Sequence, residues 1–260
     1  MKGLIEWLSH ALVRLAFKVK RMTGAFMGTR RLDYAGATLF IYVENMREYN
    51  TRARSVRKEP ETVAWIEEHA KDGGVLYDIG ANIGAYSLIA GANGLRVLAF
   101  EPSYENFRTL ERNVTLNGLD RAVASYHLAF GRETKRGFFG YEEVSSGSAR
   151  CTYIPAGTPI PEKYAVTKAI LAFSLDDFMN TFKPPMPTLL KIDVDGGEYD
   201  IVEGAYETLR MPALRAILIE VDEGKGDAAK LARNITAAGF TETTRHARRG
   251  SAANVIFTRP

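Results

Sequence analysis

From about residue 60 the chain alternates short apolar runs with longer stretches of helical periodicity, and few folds accept that pattern. "ETVAWIEEHA" repeats its apolar positions at helical spacing and stops at "KDGG". "VLYDIGA" (75–81) is a short β-type run, and "NIGAYSLIAGANG" reads as a helix that ends on glycine. "RVLAFEP" (96–102) is the next strand. "SYENFRTLERNVTLNG" is the next helix, with Ser103 as its N-cap and Gly118 as its stop. "VASYHLAF" (123–130) is a third strand. Later, "PTLLKIDVD" (187–195) and "RAILIEVD" (215–222) repeat the buried-strand pattern on either side of the helix "EYDIVEGAYETLR". "FTETTRHARRGSAANVIFTR" then closes the chain as two strands joined by a basic loop. Strands alternating with helices of about 10–15 residues predict βαβ units and a parallel sheet with helices on both faces. The expected architecture is α/β, with about seven sheet strands in a domain over 59–260 and an N-terminal appendage over 1–58.

The alternation breaks between residues 131 and 170, a segment rich in Gly, Ser, Thr and Pro with short β-like pieces such as "RGFFGYEEV". So long an irregular segment inside a compact domain is usually functional, and it reads as a substrate lid or an insertion. Its aromatics Phe138, Phe139, Tyr141 and Tyr153 suit stacking on a sugar or macrocycle, or the core of a small added hairpin. "AVTKAILAF" reads as one more strand, and Ser174 opens the helix "SLDDFMNTF" with Asp177 completing a capping box.

Composition narrows the function classes. A net charge of +3 over 260 residues is not the strongly basic surface of a nucleic-acid binder, so no nucleic-acid partner is expected. The single cysteine, Cys151, excludes an internal disulfide framework and fits a reducing, cytoplasmic compartment. No stretch approaches the ~20 apolar residues of a membrane span. Near the N-terminus Leu4, Leu8, Leu12, Leu15 and Val19 recur at helical spacing, with Lys2, Arg14, Lys18 and Arg21 off that stripe. Such a basic amphipathic helix packs on its own domain, packs on a second subunit of a homo-oligomer, or makes a peripheral contact with an anionic membrane through residues 1–21.

The turn after the first strand, "DIGANIG", places Asp78, Gly80, Ala81, Asn82 and Gly84 at a strand–helix junction. Glycines there let the backbone turn sharply and let a ligand approach the main chain. The second strand ends in "FEP", which puts Glu101 and Pro102 beside that turn, and an acid at this place suits both hydroxyls of a ribose. An adenosine-type ligand follows. NAD places its pyrophosphate at such a turn, but the carboxylate of Asp78 repels a pyrophosphate and suits a ligand carrying an ammonium and a sulfonium. That ligand is S-adenosylmethionine.

In order along the chain, "VLYDIGANIGAYSLIA", "RVLAFEPSYENFRTLERNVTLNG", "HLAFG", "FSLDDF" and "KIDVDGGEYDIVEGA" resemble the FkbM-type methyltransferases, over about residues 59 to 222. The resemblance implies the seven-stranded, Rossmann-like class I sheet of order 3-2-1-4-5-7-6, with an antiparallel last strand, S-adenosylmethionine as cofactor and methyl transfer usually to a hydroxyl oxygen. Asp78, Gly80, Asn82 and Gly84 match the turn around the methionine part of the cofactor, and Glu101 matches the ribose-binding acid. Leu128 and Ala129 match the segment that passes the adenine. Tyr86 and Ser87 open the first helix, whose N-terminus favours the methionine carboxylate or which simply packs there.

The acidic stretch "KIDVDGGEYD" (191–200) is not a calcium loop. Counted from Asp193, an EF-hand would need an oxygen ligand at Gly197, glycine at Glu198 and glutamate at Gly204. No histidine or further acid stands at ligand spacing, so no metal is expected. In the implied sheet, residues 191–193 end the fourth strand where strand order reverses, the place where open α/β sheets bind ligands. Asp193 is the expected general base and acceptor-orienting group, with Asp195 and Glu198 as further candidates for base work or substrate hydroxyls. Members of the family commonly carry Glu where this chain has Asp195. Lys191 either contacts substrate or neutralises its acidic neighbours. Arg245, His246, Arg248 and Arg249, in the loop between the last two strands, either meet an anionic acceptor or lie in solvent. The expected activity is O-methylation of a hydroxyl on a glycan, glycolipid or secondary metabolite. The alternatives are an RNA or protein methyltransferase, against which stands the absence of an Asn/Asp-Pro-Pro-Tyr signature, and a cofactor-binding scaffold that has lost catalysis.

Overall fold

The computed structural model describes residues 28–45, 48, 50–142, 144, 147, 151–224, 228–248 and 250–259. The expected amphipathic helix over residues 1–21 lies outside the described residues. The first described elements are an antiparallel hairpin, β1 (Gly28–Arg31) and β2 (Phe40–Val43), then a short helix α1 (Ser55–Lys58) and α2 (Pro60–Ala70). The alternating region follows as β3 (Val75–Ile79), α3 (Ala85–Ala92), β4 (Arg96–Phe100), α4 (Tyr104–Leu116) and β5 (Val123–Tyr126). Next come β6 (Ala129–Phe130), β7 (Lys135–Tyr141), β8 (Cys151–Pro155), β9 (Val166–Phe173) and α5 (Leu175–Phe182). The chain ends with β10 (Leu189–Ile192), α6 (Glu198–Glu203), β11 (Ala216–Asp222), α7 (Ala228–Ala237), β12 (Thr241–Ala247) and β13 (Ala252–Thr258).

Seven strands form the central sheet in the order β5-β4-β3-β10-β11-β13-β12. Strands β5 to β11 are parallel, and β13 runs antiparallel to both β11 and β12. Counting these seven strands along the chain gives 3-2-1-4-5-7-6. Both sheet faces are covered, which explains why the strands read as continuous apolar runs. Side-chain alternation divides each strand between two cores. Leu76, Val97, Ala99 and Leu189 pack with Trp65 and Ile66 of α2, Leu88 and Ile89 of α3, and Leu110 and Val114 of α4. Tyr77, Ile79, Leu98, Phe100, Leu190 and Ile192 point the other way, to Phe178 of α5, Ile201 and Val202 of α6, and Leu231 and Ile235 of α7. Each such fully buried aliphatic side chain contributes about 1.5–3 kcal/mol from transfer alone.

The segment from 131 to 170 is more regular than its composition predicts. β6, β9, β7 and β8 make a second, four-stranded sheet. Phe139, Tyr141 and Cys151 form its own small core, with Tyr153 packed against them, whereas Phe138 is exposed on the opposite face. The hairpin β1–β2 is strapped to α4: Asn113 Oδ1 accepts from Tyr42 N at 2.7 Å, and Asn117 exchanges two hydrogen bonds with the backbone of Phe40. At the start of α5, Ser174 Oγ accepts from Asp177 N at 3.1 Å, so the expected cap forms there. Ser103 makes no side-chain cap; its backbone N–H donates instead to Glu101. No helix among the described residues is long and apolar enough to cross a membrane.

Candidate active site

A cavity of about 360 Å³ opens beyond the carboxyl ends of β3, β4 and β10, on the side where strand order reverses. Its floor is the turn after β3, and three residues of that turn have left-handed backbone: Gly80 (φ +84°), Asn82 (φ +52°) and Gly84 (φ +89°). Glycine is required at two of them. A Cβ on Gly80 would lie 2.0 Å from the backbone oxygen of Asp193, and a Cβ on Gly84 would lie 2.4 Å from Leu110 Cδ1. Gly80 thus lets the ends of β3 and β10 close on each other, and Asp193 N donates to Ile79 O at 3.0 Å across that junction.

Glu101, at the end of β4, organises the same turn. Its carboxylate accepts from Asn82 N at 2.8 Å and from Ser103 N at 2.8 Å while lining the cavity. Burial pushes this carboxyl up to about 7, against the hydrogen bonds from Ser103 and Asn82 that favour its ionised form.

The end of β10 carries the main charge arrangement. Lys191 faces Asp78 across the β10–β3 register and is 1% exposed. Its ammonium lies 3.2 Å from Asp78 Oδ1 and 3.2 Å from Asp193 Oδ2. Ser87 Oγ donates to the other oxygen of Asp78 at 2.6 Å, which completes a buried chain Ser87–Asp78–Lys191–Asp193. Burial alone would pull the lysine down, but Asp193, Asp78 and Glu59 together raise its pKa. Asp193 is desolvated too, yet Lys191 and Lys58 hold its carboxyl below the usual range. Its side chain remains 32% exposed, so it reaches the cavity while pinned.

Asp195, two residues on, opens onto the cavity and forms no ion pair with another described residue. The enclosing wall desolvates it and the charge of Asp193 opposes its ionisation, raising its carboxyl to about 7. Glu198 is buried behind the loop; burial raises it to about 8, against hydrogen bonds from backbone N–H groups including that of Gly196.

The predicted residues separate cleanly. Gly80, Ala81, Asn82, Tyr86, Glu101, Pro102, Leu128, Ala129, Lys191, Asp193 and Asp195 line the cavity. Asp78, Gly84 and Ser87 do not: they stand behind the turn, where Asp78 acts through Lys191 and Gly84 packs on Leu110. Glu198 is likewise off the wall. Tyr86 Oη is spent on the backbone oxygen of Ser55 at 3.2 Å. The basic-loop expectation is corrected by pairing. Arg245 is held by Glu242 and Glu223, Arg248 by Glu59 with Glu61 and Glu220 nearby, and neither they nor His246 line the cavity. Arg249 lies outside the described residues. No cluster of metal-ligating side chains occurs among the described residues.

Sequence reasoning missed Arg52, Ser55 and Lys58, which reach the cavity from the segment before the alternating region. Only the local basic excess over 52–58 marks them in the sequence. Glu220, from the end of β11, also lines the cavity; burial raises its carboxyl to about 7, and the charge of Asp193 adds to the effect.

A hexuronic acid methyltransferase, AglP, of Haloferax volcanii is 26% identical over 214 residues, covering 82% of each chain. Methyltransferase 1 of Beauveria bassiana is 26% identical over 185 residues, 65% of this chain and 73% of that one. Among solved structures, the methyltransferase FkbM of Methylobacillus flagellatus superposes with a TM-score of 0.51 at 19% identity, over 72% of this chain and 44% of that one; this likeness is one of fold. The methyltransferase FkbM domain profile matches residues 78–242, from the buried acid behind the glycine turn to the start of β12. The chain belongs to the FkbM methyltransferase family.

Proposed function

We propose that the chain is an S-adenosylmethionine-dependent O-methyltransferase acting on a hydroxyl of a glycan, glycolipid or secondary metabolite. The observation that carries this reading is the wall of the cavity at the switch point. It presents the carboxyl groups of Glu101, Asp193, Asp195, Asp200 and Glu220 against three cationic side chains, Arg52, Lys58 and Lys191. Such an excess of carboxyl groups suits a cationic ligand, whose charge would draw the raised carboxyls of Glu101, Asp195 and Glu220 into their ionised form. Glu101, with lone pairs left beyond its backbone contacts, would hold the ribose hydroxyls, and the apolar surface of Phe100, Leu128 and Phe130 would take the adenine. When bound there, S-adenosylmethionine supplies a methyl group on a sulfonium, whose carbon–sulfur electron pair returns to sulfur as an acceptor oxygen bonds to carbon.

The chain's own part is to orient an acceptor oxygen toward the Asp193–Asp195 end, remove its proton and exclude competing water. The similarity to an enzyme named for hexuronic acid supports a sugar acceptor. The test is a methyl-transfer screen with isotopically labelled S-adenosylmethionine on glycan, lipid and metabolite extracts. The expected product is a methyl ether, stable to mild alkali. A label released by mild alkali would mark an ester and contradict the hydroxyl assignment; no transfer to any fraction would contradict the activity.

A further inference from the structure

The two aspartates that line the cavity from the β10–α6 loop are not equivalent. Asp193 is tied at 3.2 Å to a lysine that is itself fully buried, and that lysine is tied in turn to Asp78. A proton arriving on Asp193 would have to break this pair and leave the buried ammonium to Asp78 alone. Among the described residues Asp195 has no cationic partner at contact distance. Its backbone oxygen lies 3.4 Å from Thr152 Oγ1, which holds the loop against β8, and its carboxylate takes a hydrogen bond from the backbone of Cys151. The loop is therefore fixed while the carboxylate stays open to the cavity.

We propose that Asp195 is the proton acceptor of the reaction and that Lys191 is a positioning residue, which holds Asp193 fixed on the cavity wall beside it. This deepens the O-methyltransferase reading and rests on it. As the acceptor oxygen bonds to the methyl carbon, its hydroxyl proton passes to a carboxylate oxygen of Asp195 and from there to solvent. One proton is released per methyl transferred, and the sulfonium charge leaves with it. The groups that face Asp195 fit the role. Asp193 on its own loop and Glu101 at the end of β4 oppose its ionisation, as does the interaction with Glu220 of β11. Arg52, before α1, and the backbone N–H of Cys151 in β8 favour it. Asp193 is instead held ionised by Lys191, Lys58 and Arg52.

The test is a titration of the full chain labelled with carbon-13 at the aspartate carboxyl, followed by NMR, with S-adenosylmethionine binding measured in parallel. One aspartate should titrate near neutral pH, be absent in Asp195→Asn and persist in Asp193→Asn. In Asp193→Asn it should move down by about one pH unit, because a like charge has been removed. In Lys191→Met the Asp193 signal should move up, a shift that loss of packing alone would not produce. Should that variant not fold, the Asp193→Asn shift still tests the coupling of Asp193 to Asp195. If Asp195 titrates below about pH 5, within the ordinary range, or if Asp193 is the neutral titrator, the assignment is overturned. Wild-type protein that binds no S-adenosylmethionine would overturn the underlying reading instead, whichever aspartate titrates.

Discussion

Replacing Gly80 with alanine separates backbone strain from steric conflict at the junction on which the site is built. Gly80 has φ +84°, and its new Cβ would stand 2.0 Å from the Asp193 backbone oxygen and 2.8 Å from its carbonyl carbon. An ordinary carbon–oxygen contact is about 3.3 Å, so the ends of β3 and β10 must part by roughly 1.3 Å. A shift of that size breaks the 3.0 Å bond from Asp193 N to Ile79 O. The left-handed conformation costs alanine about 1–2 kcal/mol, and the lost hydrogen bond adds about 0.5–1.5 kcal/mol. The sum is about 1.5–3.5 kcal/mol. Gly94 supplies the control, since its φ is +88° but nothing lies within 4 Å of a Cβ there. Gly94→Ala should cost only the conformational part, about 1–2 kcal/mol. Urea unfolding of the two variants reads the difference, and Gly80→Ala should also weaken cofactor binding. Equal losses of stability in the two would refute the close approach of the turn to Asp193.

Stability should fall as pH rises from about 5 to 8. Glu101, Asp195 and Glu220 are raised to about 7 and Glu198 to about 8, all above their ordinary values, so their contributions are complete at low pH and are lost as each ionises. Asp193 has the opposite sign, but its lowered pKa places its window below about pH 4, outside this range. Urea midpoints at pH 5.5 and 8 test this, and a higher midpoint at pH 8 would contradict it. Arg248→Ala should cost at least about 2 kcal/mol, because it strips the nearly buried Glu59 of a partner at 2.7 Å. Arg245→Ala, which removes exposed pairs, should cost under about 1 kcal/mol, and the reverse ranking in urea would show the pairing to be misread.

The main sheet was legible because its strands are buried on both faces: "VLYDI", "RVLAF" and "AILIEVD" carry unbroken apolar runs that helices separate at regular spacing. The glycine turn was legible for a local reason, since positive φ and close approach demand glycine wherever they occur. The second sheet was not. Its strands β7 and β9 mix lysines with apolar and small residues instead of carrying continuous apolar runs, and their pairing spans a long loop that no local periodicity encodes. Lys191 stayed between two roles because a lysine in a strand usually sits at an edge or in solvent. Only the β10–β3 register, which sets it opposite Asp78, supplies the charge that lets it be buried. Arg52 and Arg248 illustrate the same limit. One reaches the cavity from outside the alternating region, and the other leaves an apparently basic loop to neutralise Glu59, 189 positions earlier in the chain.

The central claim is that the acidic cavity beyond β3, β4 and β10 takes S-adenosylmethionine with Glu101 on its ribose. Isothermal titration of the full chain with S-adenosylmethionine, alongside Glu101→Gln, tests it most directly. The predicted result is saturable one-to-one binding that weakens by roughly tenfold or more in the variant, the equivalent of about 1.4 kcal/mol or above for a lost charged hydrogen bond. Absence of binding in the wild type, or equal affinity in the two proteins, would contradict the account.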